Sequence, residues 1–375
     1  MLSFVARLQR SGIRGIRVLS PLLHFVLYGL LVSVCQANTA DMQMHIFEEE
    51  AVQATSDPGM QMVIYTNEDI PTTDGQQLAY FEESTNNDED IQVEFYADAG
   101  YRQDEFDWNK AHPSGTPNVL SELSWNDIEI AVIEIGTRVQ TPSNWVMDAR
   151  FAYGTIFDGD NQDSDWFGNN RTDEFSRSNN NADEGNTIDT SIGFGYQLTV
   201  APSPARFKKP ILSFTPKIGF SYHAQNFTIT DGFQTIPATG NFAGLDSSYD
   251  ASWYGPWIGF DSELSIADWY SLTTTLEYHY AYYEGSANWN LRTDFAHPIS
   301  FEQEAEGSGL VASLGSQFRL SRDLSLNVSV DYQDWRADKK GIDKIFFADG
   351  STAEMKFNEV NWQSMGANIG LRYQF

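Results

Sequence analysis

Ten stretches of this chain alternate apolar and polar residues with a period of two, the mark of strands with one oily and one wet face. The last runs from about Val360 to the end of the sequence. In it Met365, Ala367, Ile369, Leu371, Tyr373 and Phe375 are apolar, while Gly366, Asn368, Gly370, Arg372 and Gln374 are small or polar. The stretch over Trp145–Thr155 sets Trp145, Met147, Phe151 and Tyr153 against Asp148, Arg150, Ala152 and Gly154. Further stretches lie at Ile91–Tyr101, Leu123–Val139, Thr187–Val200, Leu212–His223, Ser252–Leu264, Tyr270–Tyr282, Gly309–Leu320 and Leu324–Tyr332. In the second, Ile128, Ile130 and Val132 change phase to Ile133 and Ile135, which predicts a bulge there.

The connections alternate in length too. Gln140–Asn144, Ala201–Lys208, Ile266–Trp269 and Ser321–Asp323 are short, whereas Tyr101–Glu122, Phe157–Asn186, Gln225–Asp250, Tyr283–Gly307 and Trp335–Asn358 are long and polar. Short turns at one end and long loops at the other fit a membrane barrel whose long loops face out of the cell. The expected fold is all-β: a transmembrane antiparallel up-and-down barrel of about ten strands over residues 91–375, with five long extracellular loops. A soluble β-sandwich is the alternative. A terminal strand with Tyr373 and Phe375 is how outer-membrane barrels end, and it implies delivery by the barrel assembly machinery into a membrane of lipid and lipopolysaccharide.

Residues 1–37 agree with that destination. Arg7, Arg10, Arg14 and Arg17 precede an apolar run from Leu22 to Val34, with small residues near Ala37, as in a cleaved secretory signal. The run falls short of the roughly 20 apolar residues of a spanning helix. Cys35 is the only cysteine and lies within that signal, so no thiol or disulfide chemistry is expected of the remainder. Residues 38–90 form a separate leader. Thirteen acids and no Lys or Arg fall in Asp41–Asp90, which predicts a self-repelling, disordered periplasmic segment. The whole chain has 23 basic and 52 acidic residues, and this excludes a phosphate-neutralising nucleic-acid surface.

Several local runs resemble the omptin family, the outer-membrane aspartate/histidine endopeptidases. Leu123-Ser-Trp125-Asn is similar to a segment opening that family's second strand. Asn161-Gln-Asp163-Ser-Asp165-Trp166 resembles its D-x-D-W element, and Tyr254-Gly-Pro256-Trp-Ile-Gly259 its M-P-Y-I-G strand. The similarity runs weakly over residues 91–375 and rests on order and spacing. It implies a ten-stranded barrel in which two carboxylates face an Asp-x-His pair across the mouth and a water between them attacks a peptide bond. Residues i and i+2 of a strand point the same way, so Asp163 and Asp165 meet the first requirement.

The positions that match the second pair are Asn288 and Asn290, and an amide is no general base. Asp294 and His297 are three apart and would face opposite ways on a strand. Glu277 and His279 have the right spacing, but the wrong height. At roughly 2.5 Å of axial rise per residue, Asp163 sits about 20 Å above His279. The family's lipopolysaccharide-binding Tyr-x-Glu-x-Arg run corresponds to Tyr222-His-Ala224-Gln-Asn226, without its ionic residues. A second reading joins Asp158, Asp160, Asp163 and Asp165 as a loop site for Ca²⁺, which favours clustered carboxylate oxygens. A third reading makes them a solvated acidic loop.

Three functions stay open: a non-catalytic surface or binding barrel, an omptin-like endopeptidase acting on basic peptides, and a narrow pore. Freely conducting porins use 16–18 strands, which ranks the pore last. In each case an acidic mouth favours cationic peptides as ligands or substrates.

Overall fold

The computed structural model describes residues 80–81, 90–201 and 211–375. The signal reading for 1–37, and the leader reading for all but a few of residues 38–90, lie outside the described residues. Ten long strands follow one another: β1 (Gln92–Ala111), β2 (Ser121–Gln140), β3 (Trp145–Gly168), β4 (Thr172–Tyr196), β5 (Ile211–Ile236), β6 (Asp246–Ala267), β7 (Tyr270–Asn288), β8 (Phe301–Arg319), β9 (Leu324–Phe346) and β10 (Thr352–Gln374). Each pairs antiparallel with its neighbours in sequence, and β10 pairs with β1, which closes the ring. At the seam the Phe375 amide donates to the Val93 carbonyl at 2.9 Å, and its ring meets Phe95 edge-on at 5.7 Å. Short strands Leu198–Ala201 and Gly240–Asn241 lie beside β5, and Tyr80–Phe81 pairs with the former.

The strands run well past their expected ends. Most of each segment read as a long polar loop is paired β-structure, and among the described residues only 112–120, 169–171, 237–245, 289–300 and 347–351 connect strands at that end. Polar residues support a ladder as well as apolar ones when both faces of the sheet differ from those in the bilayer; the alternation therefore fades there while the hydrogen bonding continues.

The expected bulge at Val132–Ile133 is absent. Val132 pairs with Gly154 and Ile133 with Tyr153 in unbroken register. What changes is the environment of each face. Ile128 and Ile130 point inward and are fully buried, whereas Ile133 and Ile135 point outward and are 65% and 55% exposed. The real irregularity is lower in sequence, where Asp127 adopts a positive φ of 53° between Asn126 and Glu129.

This inversion holds around the whole ring. Near the short turns, the outer wall is an exposed apolar belt that includes Phe95, Phe151, Phe194, Ile218, Ile258 and Leu371, while the inside is charged. Toward the other end the outside turns polar and the lumen is filled by Trp108, Trp125, Trp253, Trp335, Trp362, Tyr249, Tyr283 and Phe357. Trp335 stacks on Trp362 with centroids 5.6 Å apart and planes 18° apart. Glycines make room for these rings: a Cβ on Gly309 would lie 2.3 Å from the Trp335 ring.

Candidate functional site at the barrel mouth

On β3 the outward belt ends at Phe157, and Asp163 and Asp165 stand six and eight residues beyond it. They therefore lie outside the membrane span. Asp163 pairs with Leu123 and Asp165 with Ser121 on β2, and both carboxylates are half-buried. The Trp289 side chain hydrogen-bonds Asp163, and that of Ser121 hydrogen-bonds Asp165. Burial pushes the Asp163 carboxyl up to about 7, with the neighbouring Asp165 charge adding to the effect; Lys110, Trp289 and Arg292 oppose it. Asp165 is also raised, by burial. Two close, partly buried carboxylates hold a proton in common more easily than two negative charges.

The nearest cations are a lysine and an arginine, not a histidine. Lys110 ends the inward series Phe106, Trp108, Lys110 on β1. Its Nζ lies 2.6 Å from Oδ2 of the fully buried Asp343 on β9 and 4.9 Å from the Phe301 ring centroid. Arg292 grips Asp294 through two hydrogen bonds of 2.9 Å. The sequence reading missed Lys110, Ser121, Trp289, Arg292 and Asp343. Only Lys110 and Ser121 gave a signal, as inward positions on strands extended past the belt.

The residues weighed as partners go elsewhere. Asn290 braces the neighbouring connection, accepting from the Asp246 amide at 3.1 Å and the Ser247 hydroxyl at 3.0 Å, and donating to the Gly244 carbonyl at 2.7 Å. Asn288 binds the His297 Nδ1 at 2.8 Å, so His297 is turned to its own loop; Asp294 is exposed and committed to Arg292. Glu277 and His279 do point inward, 3.1 Å apart. However, His279 lies at 4.7 Å from the Trp335 ring, beneath the aromatic filling. A continuous series of rings runs from Trp335 through Trp253, Tyr283, Phe357, Trp108 and Phe301 to Trp289, which holds Asp163. The height estimate for His279 thus has a physical counterpart.

The four aspartates of the calcium reading are not in a loop, as expected, but on β3. Asp158 and Asp160 are exposed, whereas Asp163 and Asp165 are half-buried and turned to the mouth. The sheet changes register between Asn126 and Glu129 opposite Asp158 and Asp160, and Gly159 lies between them. Among the described residues no group of three or more His, Cys, Asp or Glu side chains has metal-binding geometry.

Among solved structures, the outer membrane protease OmpT from Escherichia coli superposes with a TM-score of 0.63 at 12% identity, over 78% of this chain and 100% of that one. At that identity the likeness is one of fold. The translocator domain of the autotransporter NalP from Neisseria meningitidis matches at a TM-score of 0.31 and 10% identity, over 75% of this chain and 88% of that one. No curated protein matches the sequence. A family model does, over residues 96–375, a span that takes in nine of the ten strands whole and most of β1. This chain, matched over about three quarters of its length and folded as an antiparallel barrel with an apolar outer belt and an aromatic seam, belongs to the Pom family, the Protochlamydia outer membrane proteins.

Proposed function

We propose that this outer-membrane barrel is a non-catalytic surface protein whose acidic rim binds cationic groups presented from outside the cell. One observation carries the reading: among the described residues, the positions across the mouth that match a general-base pair are Asn288 and Asn290, both occupied in bracing loops, with the nearby His297 held by Asn288. Carboxylates without a base can attract a lysine or arginine side chain, but they do not by themselves position an attacking water as an Asp–His pair would. The aromatic filling supports the same reading, because it leaves the rim on a rigid, closed stalk and weighs against a diffusion pore. Contact with lipopolysaccharide, and assembly through the strand ending at Phe375, belong to this proposal as the setting in which the rim is displayed. The calcium reading has less support, since the exposed Asp158 and Asp160 do not converge with the inner pair.

An endopeptidase remains the second reading because Asp163 is held near neutrality, where a carboxylate pair sharing a proton can exchange it with water. Cleavage of a short dibasic peptide by the refolded barrel, in lipopolysaccharide, decides between them. No cleavage by a barrel whose circular dichroism is of β-type supports the surface role. Cleavage that disappears in D163A/D165A overturns it.

A further inference from the structure

The connection between β7 and β8, residues 289–300, reaches the carboxylate pair at the mouth through Trp289, whose side chain hydrogen-bonds Asp163. The Arg292 amide donates to the Trp289 carbonyl at 3.0 Å, a tight turn that brings Arg292 back beside that tryptophan. Farther along, the Ala296 amide donates to the Phe346 carbonyl at 2.9 Å, and the Ala348 amide to the Asp294 carbonyl at 3.0 Å. The backbone is thereby tied to the end of β9 and to the connection after it.

The Arg292 side chain is held less firmly. Among the described residues its guanidinium is gripped by Asp294, two residues on, at 2.9 Å, and its central carbon lies 4.1 Å from the Phe295 ring centroid. Both side chains of that ion pair are more than half exposed. A pair in such a setting is weak and readily exchanged. Yet the charge is felt at the mouth. Arg292 is held charged first by the hydrogen bonds to Asp294, against the effect of burial, and then by the charges of Asp294, Asp165 and Asp163. Burial raises both mouth carboxylates, and Arg292 and Lys110 counter that rise in each. Lys110 is fixed by the fully buried Asp343 at 2.6 Å. Arg292 is free to move.

We infer that Arg292 is a tethered competitor for the cation site of the mouth: it exchanges between Asp294 and the Asp163–Asp165 pair, and an arriving lysine or arginine head binds only while Arg292 stays parked. Asp294 then favours binding without touching the ligand, and Arg292 opposes it. The inference rests on the binding role proposed above and narrows its ligand class. A tethered group acts at an effective concentration of roughly millimolar. Single basic groups at lower concentration are therefore kept out, whereas a peptide segment with several lysines or arginines displaces the one arginine.

The test titrates the full chain, refolded in detergent, with a fluorescently labelled tetra-arginine peptide at about 150 mM salt, where distant charges are screened. Saturable binding is expected, weakened about tenfold or more in D163N/D165N, about fivefold tighter in R292Q and about fivefold weaker in D294A. R292K, which keeps the charge, should match the parent. In the R292Q background D294A should change the affinity by less than about twofold, because Asp294 acts through Arg292. Binding that R292Q leaves unchanged or weakens overturns the inference, as does a D294A effect that persists in R292Q. If D163N/D165N still removes binding in those cases, the surface role stands without the competitor. Binding that D163N/D165N leaves unchanged, or none by parent and R292Q alike, overturns both. A peptide that binds only once Arg292 is replaced supports both.

Discussion

Lys110 and Asp343 meet at 2.6 Å inside the barrel although β10 lies between their strands, and Asp343 is completely buried. The pair joins the start of the sheet to its end behind the closing seam. Removing one partner strands the other charge in a dry interior, which costs far more than the pair itself contributes.

Lys110→Met should therefore lower stability by roughly 3–5 kcal/mol, and K110M/D343N should recover most of the loss. Urea unfolding in lipid vesicles measures both. A single variant as stable as the parent would mean that Asp343 is neutral or hydrated.

The mouth carboxylates predict an unusual pH profile. Asp163 holds its proton up to about 7 in the folded protein, whereas an unfolded chain releases it near pH 4. Between those values the unfolded state binds fewer protons, so stability falls as pH rises from about 4 to about 7 and is level above. Asp163→Asn should match the parent near pH 4 and exceed it by about 1 kcal/mol at pH 8. Equal stabilities at pH 8 would place Asp163 in water.

Much of this was legible from the residues. Period-two alternation located every strand inside the membrane, because there the two faces meet opposite solvents and each residue type reports its side. Above the belt that code reverses, and Ile128–Ile135 looked slipped at Val132–Ile133, where only the surroundings change; the register shifts lie nearer its start, between Asn126 and Ile130. Asp163 and Asp165 were singled out through their resemblance to the omptin D-x-D-W element, whose spacing of two sets both on one face. Trp289, Arg292 and Asp343 were not, since they reach the mouth from distant parts of the sequence that only ring closure brings together.

Asn290 offers a local test. Its three hydrogen bonds hold residues 244–247, and losing them should cost about 1–2 kcal/mol of local stability. Asn290→Ala should speed amide exchange in 237–247 severalfold while the global unfolding midpoint barely moves. Exchange that stays at the parent rate would assign that bracing to other contacts.

Packing inside the upper barrel leaves no slack at Gly309, beside Trp335. Gly309→Val should displace the Trp335 ring from Trp362, abolish the near-ultraviolet signal of that stacked pair and cost about 1–3 kcal/mol. A spectrum identical to the parent's would show that β8 can yield instead.

The same rings predict an electrically silent protein. In planar bilayers the parent should give no stepwise conductance, whereas W253A/W335A/W362A should open irregular small currents. Steady conductance from the parent would restore the pore.

The exchange of inside for outside along each strand also sets where the molecule floats. Were the barrel to sink by a few residues, Glu105, Asp158 and Glu306 would enter oil on the outside; were it to rise, Ile133 and Phe151 would meet water. Both displacements are penalised on every strand at once. The barrel thus carries its own waterline, drawn by the level at which its interior changes from charge to aromatic rings.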